Sequence, residues 1–146
     1  MEVRIVETGA AAEPDVIIRC RQTDSSVRQL ADFIRLFDSR LTGWTDQGTR
    51  LILLVSDILY FESVDGRTFA YTADAVAEVP ERLYVLEERL AGQGFIRISK
   101  SMIVSLRHMR ALRPDLNRSL LATMANGEHL HVSRRYAAAL KQRLEI

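Results

Sequence analysis

The spacing of apolar and polar positions changes several times along the chain. Near the start, Val3 and Ile5 alternate with Glu2 and Arg4 across residues 1–7, and a second apolar run, "VIIRC", ends at Cys20. These stretches read as two strands around the loop "GAAAEPD", a small hairpin. The period then lengthens. In "TDSSVRQLADFIRLFDSRL", Val27, Leu30, Phe33, Ile34 and Phe37 fall at helical spacing, with Asp24 or Ser25 as N-cap, which predicts one amphipathic helix. From residue 42 the text turns to short β-rich runs, "RLILLV", "DILYFESV", "RTFAYTA" and "AVAEV", parted by Ser56-Asp57, Asp65-Gly66 and Asp74. Asp65-Gly66 predicts a two-residue hairpin, because both residues accept positive φ. "PERLYVLEERLAG" places Leu83, Leu86 and Leu90 on one face between Pro80 and Gly92, a helix of about three turns. Strands return in "FIRI", "MRALRP", "SLLATMA" and "LHV", the last two joined by "NGEH". A final helix from Ser133 to Leu144, capped by Ser133, buries Tyr136, Leu140 and Leu144. The pattern predicts a mainly β fold with flanking helices (α+β). A strand–strand–helix extension occupies residues 1–41, and a strand-rich domain occupies residues 42–146.

Composition narrows this little. At 146 residues, with 47% apolar and 27% charged side chains, the chain can bury a core and wholesale disorder is excluded. A single cysteine, Cys20, excludes an intrachain disulfide and a Cys-rich zinc site. The start, "MEVRIVETG", does not resemble a signal peptide, and the longest unbroken apolar run, Leu51 to Val55, is too short to cross a bilayer. A cytoplasmic, reduced, soluble protein is expected.

The distribution of charge says more than its net value of +1. Residues 1–40 carry 6 Lys/Arg against 7 Asp/Glu, residues 41–92 carry 4 against 9, and residues 93–146 carry 10 against 3. Within the last segment, "GFIRISKSMIVSLRHMRALRP" (residues 94–114) holds Arg97, Lys100, Arg107, Arg110, Arg113 and His108 without one acid. Such segregation fits a polyanion partner for the C-terminal part. The competing reading pairs this basic face with the acidic middle of the same domain.

Candidate chemistry is sparse. His129 and His131 share a face of a strand but have no third ligand nearby in sequence, so no metal and no other cofactor is expected. Cys20, at the end of an apolar strand with no neighbouring His, reads as a buried inert thiol. No glycine-rich phosphate loop, nucleophile elbow or paired-carboxylate motif is present, and an enzyme is not expected. Arg134 and Arg135 are different. They fall in the first turn of the final helix, where the helix dipole disfavours cations unless an anion is shared there. A helix N-terminus, a serine and two guanidiniums make a phosphate clamp. The remaining readings are a polyanion binder or a protein-interaction module docking a signalling or membrane partner.

Four motifs in order, "DILYFES", "LEERL", "FIRISKSMIVSL" and "ANGEHLHVSRRYAAALKQRL", resemble the LytTR-type DNA-binding domain of bacterial transcription regulators across about residues 42–146. The whole chain also resembles the small stand-alone members of that family. The resemblance implies an elongated, mostly antiparallel β domain whose loops enter successive major grooves of double-stranded DNA. It also implies binding as a pair, a homodimer formed on repeated sites. Base contacts map onto Arg67 or Thr68 after "YFES", onto Lys100 in "RISKS" and onto Arg135 in "SRRY". Ser99, Ser101, Arg134 and Arg97 map onto backbone or positioning roles, with Arg97 and Tyr136 supporting loop and helix from behind. Two departures stand out: Ser105 replaces an asparagine common after "IV", and Ser99 replaces a frequent histidine. Family analogy further implies a membrane inhibitor protein as partner of stand-alone members.

Overall fold

The computed structural model describes residues 1–10, 13–37 and 39–146. The helix α1 (Ser25–Leu36) begins where expected. The Asp24 carboxylate accepts the Val27 N–H at 3.0 Å, an N-cap that also holds this carboxyl below its usual range. The expected apolar stripe is only half covered, with Phe37 67% exposed while Leu36 is the residue that enters the core. Ahead of the helix the expectation of two strands fails, since residues 1–10 and 13–24 form no strand. Part of the expected loop "GAAAEPD", residues 11 and 12, lies outside the described residues. Alternation supplied the amphipathic pattern there, but no neighbouring strand pairs with it. Cys20 is therefore exposed, not buried.

Seven strands form one antiparallel sheet. In chain order these are β1 (Arg40–Trp44), β2 (Arg50–Leu54), β3 (Tyr60–Val64), β4 (Arg67–Tyr71), β5 (Val76–Val79), β6 (Phe95–Ser99) and β7 (Met102–Ser105). Their spatial order is β2-β1-β5-β4-β3-β7-β6. β3 and β4 are joined as expected through Asp65 (φ 52°) and Gly66 (φ 76°), with Val64 opposite Arg67. The strand β1 is absent from the sequence reading. Its arginine, threonine and glycine give no apolar run, yet Gly43 allows the close approach of β5. A Cβ at Gly43 would lie 2.6 Å from the Glu78 carbonyl oxygen. Helix α2 (Leu83–Arg89) is a turn shorter than expected, because Arg82 stays extended (ψ 153°) as its N-cap. The three leucines on its face are all buried.

A second sheet, ordered β10-β9-β8, consists of β8 (Met109–Pro114), β9 (Leu120–Met124) and β10 (His129–Val132), and α3 (Arg134–Leu144) follows it. Two cores result. Phe61, Ala70, Val79, Ile103 and Phe95 pack with the α2 leucines and with Leu36. Tyr60, Ile98 and Val104 pack with Leu120, Met124, Val132 and the α3 residues Ala137 and Leu140. Because successive strand residues face opposite sides, adjacent Tyr60 and Phe61 anchor different cores. The Tyr60 ring stacks on Tyr71 at 4.3 Å. Its hydroxyl donates to Glu128 at 2.8 Å, tying the large sheet to the β9–β10 loop.

Candidate nucleic-acid interface

The acid-free stretch 94–114 resolves into β6, a two-residue turn, β7, a short 3₁₀ turn and β8. Pairing of β6 with β7 slips between Arg97 and Ser99, so Ile98 is an extra residue on β6. This bulge keeps Ile98 fully buried and bends the strand just before its tip. At the tip sit Lys100 and Ser101. The Ser99 hydroxyl accepts the Ser101 N–H at 3.2 Å, closing the turn from inside. The Arg97 guanidinium donates to the Lys100 carbonyl at 2.6 Å and to Glu87 on α2 at 3.1 Å. With its side chain only 14% exposed, Arg97 sits behind the turn, and Lys100 projects from it.

Register places three segments at one end of the molecule. β3 lies beside β7, and the Ser63 N–H donates to the Ser101 carbonyl at 2.8 Å. The Asp65-Gly66 turn is therefore a neighbour of the Lys100-Ser101 turn. On the other side, the Ser133 N–H donates to the Ile98 carbonyl at 3.0 Å, which seats the start of α3 against the end of β6. The expected serine cap is not made. The Ser133 hydroxyl turns to the same carbonyl at 3.4 Å, and no side chain caps α3. The Tyr136 and Ala137 N–H groups both donate to the Ser133 carbonyl, at 2.9 and 3.1 Å, which leaves the N–H groups of Arg134 and Arg135 open at the helix start, both residues being exposed. The Arg135 guanidinium lies 5.5 Å from the Tyr136 ring. Among the described residues, Lys100, Arg134 and Arg135 take part in no ion pair. The basic face is thus not neutralised by the acidic middle at these positions.

The residues mapped to the β3–β4 turn behave differently. Arg67 is bound by Glu78 on β5, at 2.5 and 3.1 Å. That contact raises the arginine's pKa and lowers the carboxyl's below its usual range. The Arg67 guanidinium therefore lies along the sheet. Thr68 is 4% exposed, on the face of β4 that packs into the first core. At the departure from the family pattern, Ser105 is buried and donates its N–H to the Leu59 carbonyl at 2.8 Å, inside the sheet.

Two residues at this end escape the sequence reading. Arg82, the N-cap of α2, donates to the Gly66 carbonyl at 3.0 Å and braces the β3–β4 turn. Arg118 is exposed in the β8–β9 loop, which packs against α3. Asn117 (φ 56°) and Arg118 (φ 64°) are both left-handed there. The available signal was Asn117 between two apolar runs, because asparagine tolerates that conformation. His129 and His131 both lie exposed on β10, with His129 Nδ1 3.0 Å from the Thr123 hydroxyl. Among the described residues no group of three potential ligands forms around them.

Comparison with known proteins bears on the family and the fold. The family model described as LytTr DNA-binding domain matches residues 49–145. Sensory transduction protein LytT of Bacillus subtilis (strain 168) is 32% identical over 96 residues, covering 66% of this chain and 40% of that protein. A protein of Staphylococcus aureus (strain NCTC 8325 / PS 47), named an uncharacterized HTH-type transcriptional regulator, is 28% identical over 148 residues, covering 100% of this chain and 99% of its own length. A solved LytTr DNA-binding domain from Bacillus cereus superposes with a TM-score of 0.70 at 29% identity, over 75% of this chain and 99% of the other. Its antiparallel architecture is the one described above. This chain belongs to the LytTR DNA-binding domain family.

Proposed function

We propose that the chain is a cytoplasmic, sequence-specific transcription regulator that presents the end carrying the β6–β7 turn and the start of α3 to double-stranded DNA. The carrying observation is the convergence of Lys100, Arg134 and Arg135 at that end, without an ion pair among the described residues. In this reading Lys100 and Arg135 reach base edges in successive major grooves, where cations recognise guanine. Arg134, Ser99, Ser101 and the open N–H groups of α3 hold phosphates. Arg97 positions the turn from behind, and Arg67 joins only by leaving Glu78. Thr68 drops out of the set because it is buried. A pair of chains occupies repeated sites, and a membrane inhibitor protein remains the regulatory partner that family analogy suggests.

Selection from a random DNA pool, followed by anisotropy titration of the winner, tests the reading. A recurrent site should emerge. With about six phosphates engaged, affinity should fall roughly 10³-fold between about 50 and 200 mM salt. Selection without a consensus, or affinity indifferent to salt, would favour a protein-docking module instead.

A further inference from the structure

Register brings one more loop to the end of the molecule that carries Lys100 and the start of α3. Val132, the last residue of β10, lies opposite Leu120, the first of β9, and Leu120 lies opposite Pro114, the last of β8. The loop between β8 and β9 (residues 115–119) therefore leaves the small sheet at the same end as Ser133, and it packs against α3. None of the residues assigned above to DNA belongs to it.

This loop is short and tightly held. The Ser119 N–H and hydroxyl both donate to the Leu116 carbonyl, at 3.1 and 2.6 Å, and the Asp115 N–H donates to the Ser119 carbonyl at 3.0 Å. Between these bonds Asn117 (φ 56°) and Arg118 (φ 64°) are both left-handed, which is uncommon for any residue but glycine. Two such residues in succession cost free energy that the rest of the fold must offset, and conformations of this kind cluster at functional sites. The turn they make leaves Leu116, Asn117 and Arg118 exposed and Ser119 buried.

The surroundings are basic. Arg113 and His131 lie opposite Leu121 from either side, so the two share the outer face of the small sheet, and both are exposed. Asp115 is the one acid of the loop. Among the described residues, neither Arg113 nor Arg118 forms an ion pair with it or with another carboxylate. An arginine held in a costly backbone conformation, beside the cations of α3, is placed as a phosphate contact is placed.

We propose that the β8–β9 loop is a further DNA contact, in which Arg118 holds a backbone phosphate beside those held at the start of α3. Arg113 and His131 add positive charge to the same flank. The inference rests on the proposed DNA reading and adds a segment to its footprint that lies outside the loops the family resemblance maps.

The test uses the full chain and the duplex that selection yields. At about 0.15 M salt Arg118→Asn should bind about fivefold more weakly, and the slope of log affinity against log salt should shrink by about 0.9, as one lost phosphate contact requires. Asparagine accepts the left-handed backbone, so circular dichroism and melting temperature should stay those of the wild type. Arg118→Lys should keep most of the affinity. Lys141→Ala removes a charge from the exposed last turn of α3 and should leave the slope unchanged. Single neutral methylphosphonates, placed in turn along the duplex, should reveal a position that weakens the wild type and leaves Arg118→Asn unaffected. Wild-type affinity and slope in Arg118→Asn overturn the proposal. So does an equal loss in Arg118→Lys or Lys141→Ala, or a scan with no such position. A wild type that selects no recurrent site and binds no DNA in a salt-dependent way overturns the DNA reading itself, and this inference with it.

Discussion

Lys100 is exposed because its neighbours are occupied. Arg97 supports the turn through the Lys100 carbonyl, and the Ser99 hydroxyl closes it on the Ser101 N–H, so the lysine amine is the group at that tip left for a partner. Arg135 stands in the same relation to Ser133, whose bond to Ile98 holds the helix start in place. Lys100→Ala and Arg135→Ala should each weaken binding to the selected site by about tenfold or more, about 1.4 kcal/mol. Urea unfolding should be unchanged, because neither side chain forms an ion pair among the described residues. Unchanged affinity in both variants would remove them as contacts. Three arginines and the histidine of the stretch 94–114 have roles that their spacing did not convey. Arg97 is a brace, Arg107 lies 3.9 Å from the Phe33 ring, His108 bonds the Ser56 carbonyl at 2.7 Å, and Arg110 donates to the Arg107 carbonyl.

At the scale of elements, local pattern located strands wherever apolar residues ran together and failed where it met glycine or isolation. β1 shows the first failure: Gly43, which lowered its strand signal, is required by the close approach of β5. Gly43→Ala should cost about 1–3 kcal/mol of stability through overpacking against the Glu78 carbonyl and Ala77, read from the denaturation midpoint. A midpoint within error of the wild type would mean that β1 can shift away without loss. Residues 1–20 show the second failure, because alternation states which side chains would share a face and says nothing of what lies beside the strand. The Ile98 bulge was also illegible, being a mismatch between two strands and not a property of either.

Across the whole molecule, α1 acts as a strap between the two cores. Leu36 enters the first core, while Asp32, whose side chain is 7% exposed, reaches Arg143 on α3 at 2.6 Å and Arg35 at 3.2 Å. Asp32→Ala should therefore destabilise the protein by about 2 kcal/mol, the scale of a hydrogen bond to a charged group, measured by urea unfolding. A loss near zero would show that apolar contacts alone hold the strap. No helix among the described residues is long and apolar enough to cross a membrane. By itself the sequence determined the strand-rich class, the Asp65-Gly66 hairpin, the leucine face of α2 and the concentration of cations after residue 93. Each is a local property, set by side-chain period, turn chemistry or the count of charges. Only the tertiary structure decided which cations stand free, that Thr68 is buried, and that the β3–β4 turn, the β6–β7 turn and the start of α3 share one end. Those outcomes depend on strand order and register, which join residues as far apart as Tyr60 and Val104 through pairings that no short window of sequence contains.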